Sequence, residues 1–198
     1  MVNSSKYALV ERERRFLVSE LPQHERLARW SITDLYIEGT RVRLRLSNGV
    51  VDGRPETVRK LTQKLPARNG IVGHCGAITT MYLDEAEYGA LSCLPGQWLS
   101  KQRFRFPPMS VDVFQGPLTG LHIAEAEFHD DEAMTAFVPP QWCGQEVTEH
   151  PALTGAALAR MAALPRSDAA AALTAVLNTI EGSASLGGVG GDPGTIAR

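Results

Sequence analysis

Residues 41–46 read Arg-Val-Arg-Leu-Arg-Leu, and residues 101–106 read Lys-Gln-Arg-Phe-Arg-Phe. On an extended chain successive side chains point to opposite faces, so residues two apart share a face. Arg41, Arg43 and Arg45 therefore line one face of a strand with Val42, Leu44 and Leu46 behind them, and Lys101, Arg103 and Arg105 line another, backed by Phe104 and Phe106. The same period of two marks further strands over 8–18, 32–46, 57–65, 77–83, 98–106, 110–114 and 122–128. Helices are fewer: 22–30 after Ser19, 84–93 with Asp84 and Glu87 spaced as a capping box, 131–137 and 151–163. Strands outnumber helices and are joined by hairpin-length links, which predicts an antiparallel α+β or barrel architecture rather than a parallel doubly wound sheet.

With 198 residues the chain suits one domain, expected over 1–164; from 165 onward Ala, Gly, Ser and Thr take over, so 165–198 is expected to be a tail with a short helix over 169–180 and a disordered glycine-rich stretch from Gly182. The formal net charge of −2 excludes a nonspecific nucleic-acid coat. Three cysteines without Cys-x-x-Cys spacing suggest neither a disulfide framework nor a zinc site. Residues 1–7 are polar and no apolar run approaches the roughly 20 residues of a membrane span, so a cytoplasmic protein without membrane or nucleic-acid partners is expected.

The chemistry is in the segregation of charge. Alternation alone would allow an ordinary sheet with one solvated face, but such faces mix signs, whereas here most strands are dominated by one. The basic side is Arg41, Arg43, Arg45, Lys60, Lys64, Lys101 and Arg103; the acidic side is Glu11 and Glu13 ahead of Arg15, then Asp112, Glu125 and Glu127. Like charges side by side repel, so the pattern calls for compensation: a polyanion for the cations and metal for the carboxylates. Glu-x-Glu on a strand offers oxygen ligands to Mg²⁺ or Mn²⁺, and guanidinium and ammonium groups match phosphate oxygens. If the sheet closes with this face inward, the lumen becomes a charged tunnel.

Taken in order, Glu11-Arg-Glu-Arg-Arg-Phe, Arg43-x-Arg45, Leu61-Thr-Gln-Lys64, Lys101-Gln-Arg103, Asp112-Val-Phe and Glu125-Ala-Glu127-Phe resemble the motifs of the CYTH superfamily, the triphosphate tunnel metalloenzymes, over residues 8–161. The run 136–142, Ala-Phe-Val-Pro-Pro-Gln-Trp, with Glu146-Val-Thr148 after it, looks like the short bacterial members that hydrolyse inorganic tripolyphosphate. The resemblance implies an eight-stranded antiparallel barrel with a few outer helices and dependence on Mg²⁺ or Mn²⁺. It assigns Glu11, Glu13, Asp112, Glu125 and Glu127 to metal. Arg15, Arg43, Arg45, Lys64, Lys101 and Arg103 go to phosphate, and Glu11, Glu13, Arg15 and Asp112 stand nearest the reaction; Arg41 and Lys60, which the motifs do not require, are added as phosphate contacts because they share a face with those cations. Two departures stand out: Arg15 replaces the family's lysine, and residues 77–81 carry none of the glutamates often found on that strand. The expected activity is hydrolysis of a small triphosphate or polyphosphate, tripolyphosphate foremost, by a chain that could form homodimers. The alternatives are a class IV type of adenylyl cyclase or a polyphosphate- or nucleotide-binding module without catalysis.

Overall fold

The computed structural model describes residues 7–22, 29–65 and 74–186. Its strands are β1 (Leu9–Leu17), β2 (Arg29–Ile37), β3 (Val42–Val51), β4 (Arg54–Leu65), β5 (His74–Tyr82), β6 (Gly96–Phe106), β7 (Met109–Phe114) and β8 (His122–Glu127). They close into a barrel in the order β1-β5-β4-β3-β2-β6-β7-β8, each pair antiparallel. The α+β barrel expected from the alternation is the architecture of the chain.

One expected strand, 32–46, is two. Gly39 has φ +68°, a left-handed conformation that glycine adopts without steric cost, and the chain reverses there. Thr40 fixes the reversal by donating from Oγ1 to the Ile37 carbonyl at 2.9 Å and accepting from the Val42 amide at 3.1 Å. Arg41 therefore lies in the turn ahead of β3 rather than on the strand with Arg43 and Arg45. Of the helix expected over 22–30, residues 23–28 lie outside the described residues, and Arg29 and Trp30 open β2 instead.

Helix α1 (Glu85–Ser92) starts at the expected capping box, with Asp84 accepting from the Glu87 amide and Glu87 from the Asp84 amide. Helix α2 (Asp131–Ala136) is capped by Asp130. The expected helix over 151–163 is divided by Thr154, which caps α3 (Gly155–Ala162) after a single 3-10 turn at Pro151–Leu153. Helix α4 (Arg166–Leu186) is longer than the 12 residues expected, so Gly182 is helical rather than disordered; residues 187–198 lie outside the described residues.

Two apolar clusters surround the barrel wall. Outward residues Phe16, Phe104, Phe106, Val111, Ala124 and Ala126 pack under Phe137 and Trp142, so Trp142 is the packing anchor its prolines suggested. Inward apolar residues Leu99, Phe114 and Ile123 instead meet Leu153, Leu158 and Ala159, with Leu173 and Ile180 of α4 behind them. Helix α3 thus closes one end of the barrel, with α4 packed on its outer side.

The barrel is closed by a divided strand. Residues 9–12 of β1 pair with β5 and residues 13–17 pair with β8, with a register shift between Glu11 and Arg12. The free edge of the second half is covered by 145–147, where the Leu17 amide donates to the Gln145 carbonyl and the Val147 amide to the Arg15 carbonyl. Glu146 receives both Nε and Nη2 of Arg14, at 3.0 and 2.6 Å, so the Glu146-Val-Thr148 run fastens the seam. Among the described residues no helix is long and apolar enough to cross a membrane.

Candidate active site

Closure turns the polar face of every strand inward around one cavity of about 1280 Å³. Strand β1 supplies Glu11, Glu13 and Arg15 to its wall, β3 supplies Arg43 and Arg45, and β4 supplies Lys60 and Lys64. Lys101 and Arg103 come from β6, Glu125 and Glu127 from β8, and Arg41 joins from the turn. Every cation assigned to phosphate by sequence lines this cavity, as do the four glutamates. Asp112 does not: it faces inward opposite Arg103 but is wholly buried beneath the cations, accepting from Lys101 and from Nε and Nη2 of Arg103.

The charges are paired before any substrate arrives. Lys64 donates to both Glu11 oxygens at 2.8 and 2.6 Å, and Arg103 also reaches Glu125. Burial would raise Asp112 and Glu125, but Arg103 and Lys101 together, joined by Arg15 at Glu125, hold both carboxyls below their ordinary values. Arg15 is 6% exposed; its Nη2 donates to the Leu153 carbonyl at 2.8 Å, and its Nε, which makes no hydrogen bond, lies 3.5 Å from Glu125. It therefore ties the acidic strand to the plug at the end of the barrel. Arg43 likewise keeps a buried Nε without a hydrogen-bond partner in a wall of the cavity. Buried unpaired donors are costly, and an anionic oxygen in the cavity would satisfy them.

The acidic side bears on whether the residues fit a metal. Glu13 and Glu127 are direct cross-strand partners, and among the described residues neither makes a hydrogen bond or ion pair. Burial, then the charge of Glu125, pushes the Glu13 carboxyl above its ordinary value. Like charges facing one another destabilise a sheet, and a divalent cation between them removes that penalty. Among the described residues no three His, Cys, Asp or Glu side chains stand grouped as a closed metal cage. What fits is an open site: two carboxylates on one wall, the rest of the coordination left to water and phosphate oxygens, as Mg²⁺ prefers.

Sequence reasoning missed Asp34 and Arg160. Asp34, inward on β2 opposite Arg45, accepts from Nε and Nη2 of Arg45 at 2.6 and 2.8 Å and lies 3.6 Å from Nε of Arg43. Burial would raise its pKa, but Arg45 and Arg43 together hold it at about 2. Its signal was the alternation Ile32-Thr-Asp34-Leu-Tyr36, hidden because 32–46 was read as one strand. Arg160, on α3, reaches the cavity from the plug, a position that strand periodicity cannot reveal. On β5, where glutamates were missed, Ile78, Thr80 and Tyr82 line the wall instead, with Lys60 Nζ 5.0 Å from the Tyr82 ring centre.

No protein-family model matches the chain. An inorganic triphosphatase from Nitrosomonas europaea is 47% identical over 49 residues, 25% of this chain and 32% of the relative, so the match spans about a third of that relative's length. Among solved structures, the crystal structure of the inorganic triphosphatase NE1496 superposes with a TM-score of 0.51 at 27% identity, covering 79% of this chain and 97% of that one. A second structure, of the hypothetical protein NE1496, gives a TM-score of 0.50 at 28% identity over 78% and 99% of the two chains. The resemblance to short inorganic triphosphatases, read from the ordered motifs, holds in sequence and in fold.

Proposed function

We propose that this chain is a metal-dependent hydrolase of small triphosphates, with inorganic tripolyphosphate the favoured substrate. The observation that carries the reading is the single cavity in which all eight predicted cations meet all four predicted glutamates. A triphosphate is a short chain of anionic oxygens, and its hydrolysis needs charge neutralisation and positioning more than covalent chemistry by the protein. The similarity to inorganic triphosphatases supports the same substrate class.

In this reading Arg43, Arg45, Lys101 and Arg103 bind and orient the phosphate chain, and Lys64 and Arg15 hold the end nearest the glutamates. Glu13 and Glu127 would hold Mg²⁺ or Mn²⁺, joined by Glu11 and Glu125 as the substrate draws Lys64 and Arg103 away from them. The metal, when bound, supplies Lewis-acid polarisation of the phosphate and activation of water. Asp112 is read as the counter-ion of Lys101 and Arg103 rather than as a ligand, because it is wholly buried beneath them and does not line the cavity. The plug formed by α3 limits entry of water from that end, which strengthens the charge interactions inside.

The test is a substrate panel. Purified protein with Mg²⁺ or Mn²⁺ is given tripolyphosphate, pyrophosphate and ATP, and orthophosphate and cyclic AMP are measured. Orthophosphate from tripolyphosphate in preference to ATP supports the proposal; cyclic AMP from ATP would favour the cyclase reading, and tight binding without either product a binding module.

A further inference from the structure

We propose that Asp34 is a positioning residue for the phosphate cradle: it never meets the substrate, and it sets the orientation in which Arg43 and Arg45 do. The inference rests on the triphosphate reading above. Arg43 and Arg45 are two apart on β3 and face the same cavity, so each repels the other and neither long side chain has a reason of its own to hold one rotamer. Asp34 lies directly across the β2–β3 ladder from Arg45. Its side chain is 1% exposed, and it is absent from the cavity wall that Arg43 and Arg45 line. A phosphate in the lumen therefore contacts the arginines and not the carboxylate.

The geometry specifies what the carboxylate does. It takes the Nε and Nη2 edge of Arg45, the two-point fork that a guanidinium offers and an ammonium cannot, and leaves Nη1 uncommitted. It sits 3.6 Å from Nε of Arg43, close enough to offset the repulsion between the two arginines but too far to satisfy that donor, which stays buried and unbonded. One arginine is thus locked and its neighbour is held with a donor to spare. The arrangement recurs on the adjacent strand pair, where buried Asp112 of β7 takes Nε and Nη2 of Arg103 and the ammonium of Lys101 on β6. Basic strands β3 and β6 thus each have a buried carboxylate on a neighbouring strand that fixes their cations, and a binding site is only as well ordered as the groups that support it.

The experiment uses the full chain, with sodium tripolyphosphate as the probe. Dissociation constants are measured by calorimetry without metal, and KM and kcat with Mg²⁺, for the unaltered chain, Asp34→Asn, Arg45→Lys and the double variant. Melting curves confirm that each sample is folded. The expected result is that Asp34→Asn raises both the dissociation constant and KM about tenfold, with kcat changed by less than about threefold. Arg45→Lys, which keeps the charge but cannot fill the fork, should do the same, and the double variant should be no worse than either single one. Some loss of stability is expected in either role; an unchanged dissociation constant and KM in the folded Asp34→Asn protein would mark Asp34 as purely structural and overturn the proposal. If Asp34→Asn does not fold, Arg45→Lys alone decides: binding equal to that of the unaltered chain overturns it. Failure of the unaltered chain to bind tripolyphosphate overturns the triphosphate reading as well, and is distinct from the case in which that chain binds and the variants bind equally.

Discussion

Glu13 and Glu127 face one another across the β1–β8 ladder at the wall of the cavity, and among the described residues neither makes a direct hydrogen bond or ion pair. Glu11 and Glu125, the other members of their pairs, are held by Lys64 and Arg103. This division gives a direct metal test. Mn²⁺ should raise the melting temperature of the unaltered chain, and the rise should be lost in Glu13→Gln and Glu127→Gln, whose amides keep the shape but not the charge. Orthophosphate release from tripolyphosphate should fall at least about a hundredfold in either variant. A full Mn²⁺-induced shift in Glu13→Gln would remove Glu13 from the metal assignment.

The buried aspartates predict how the fold fails in acid. Asp34 has a folded-state pKa of about 2, below the ordinary 3.8, so its ionised form stabilises the folded state. For a depressed carboxyl that stability is fully present above the unfolded value and is lost as pH falls through the folded one. Its share, about 2 kcal/mol, should disappear between about pH 4 and pH 2. Asp112 is shifted in the same direction by Arg103 and Lys101 against the effect of burial, so its contribution is also lost as pH falls, over a range that extends lower than that of Asp34. Urea unfolding at pH 7 and pH 2 should show Asp34→Asn closing part of the gap between the two conditions by losing stability at pH 7 while changing little at pH 2. An unchanged pH dependence in that variant would show that the pair contributes nothing net.

Much of this site was legible because strand alternation is a local signal. Arg43, Arg45, Lys101 and Arg103 announce their common face within six residues of sequence, and Glu125 and Glu127 do so within three. Which carboxylate neutralises which cation was not legible, since that depends on register between strands. Asp112 is assigned to metal through its place in the ordered motifs; that it sits buried beneath Lys101 and Arg103, off the cavity wall, follows only from its pairing with the next strand. Asp34 stayed hidden until Gly39 split one apparent strand into two and brought it opposite Arg45. The plug escaped for a different reason: α4 is built of alanines and a few larger residues, and that composition does not say what the helix packs against.

That helix yields a prediction opposite to what an Ala-rich tail suggests. Ala169 is wholly buried, and Ile180, 3% exposed, and Leu173, 7% exposed, belong to the cluster that includes Leu153 and Leu158. Leu173→Ala should cost about 2–4 kcal/mol, the range for a truncated core leucine, measurable by chemical denaturation. Truncation after Pro165 should lower the melting temperature sharply or give insoluble protein. A truncated chain as stable as the full one would show that α4 adds nothing to the plug.

Arg15 tests the junction between chemistry and plug. A lysine at this place would keep the positive charge near Glu125, but it has one nitrogen where Arg15 uses two parts of a fork: Nη2 on the Leu153 carbonyl and Nε toward Glu125. In Arg15→Lys the ammonium can follow Glu125 and the substrate, which abandons the Leu153 carbonyl, or stay on the carbonyl, which withdraws charge from the cavity. The first course leaves a buried acceptor unpaired and should cost about 1–3 kcal/mol of stability. It also frees a cation to move with the reacting phosphate, so kcat for tripolyphosphate should rise while the melting temperature falls and amides of 153–158 exchange faster with deuterium. In Arg15→Ala both roles go at once, so stability, binding and turnover should all decline. The diagnostic result is the opposed movement of kcat and melting temperature in the lysine variant. If Arg15→Lys leaves exchange at 153–158 unchanged, the tie to Leu153 is not what holds the plug. If it also turns over more slowly than the parent, the arginine is the better catalyst and the fork itself serves the reacting phosphate.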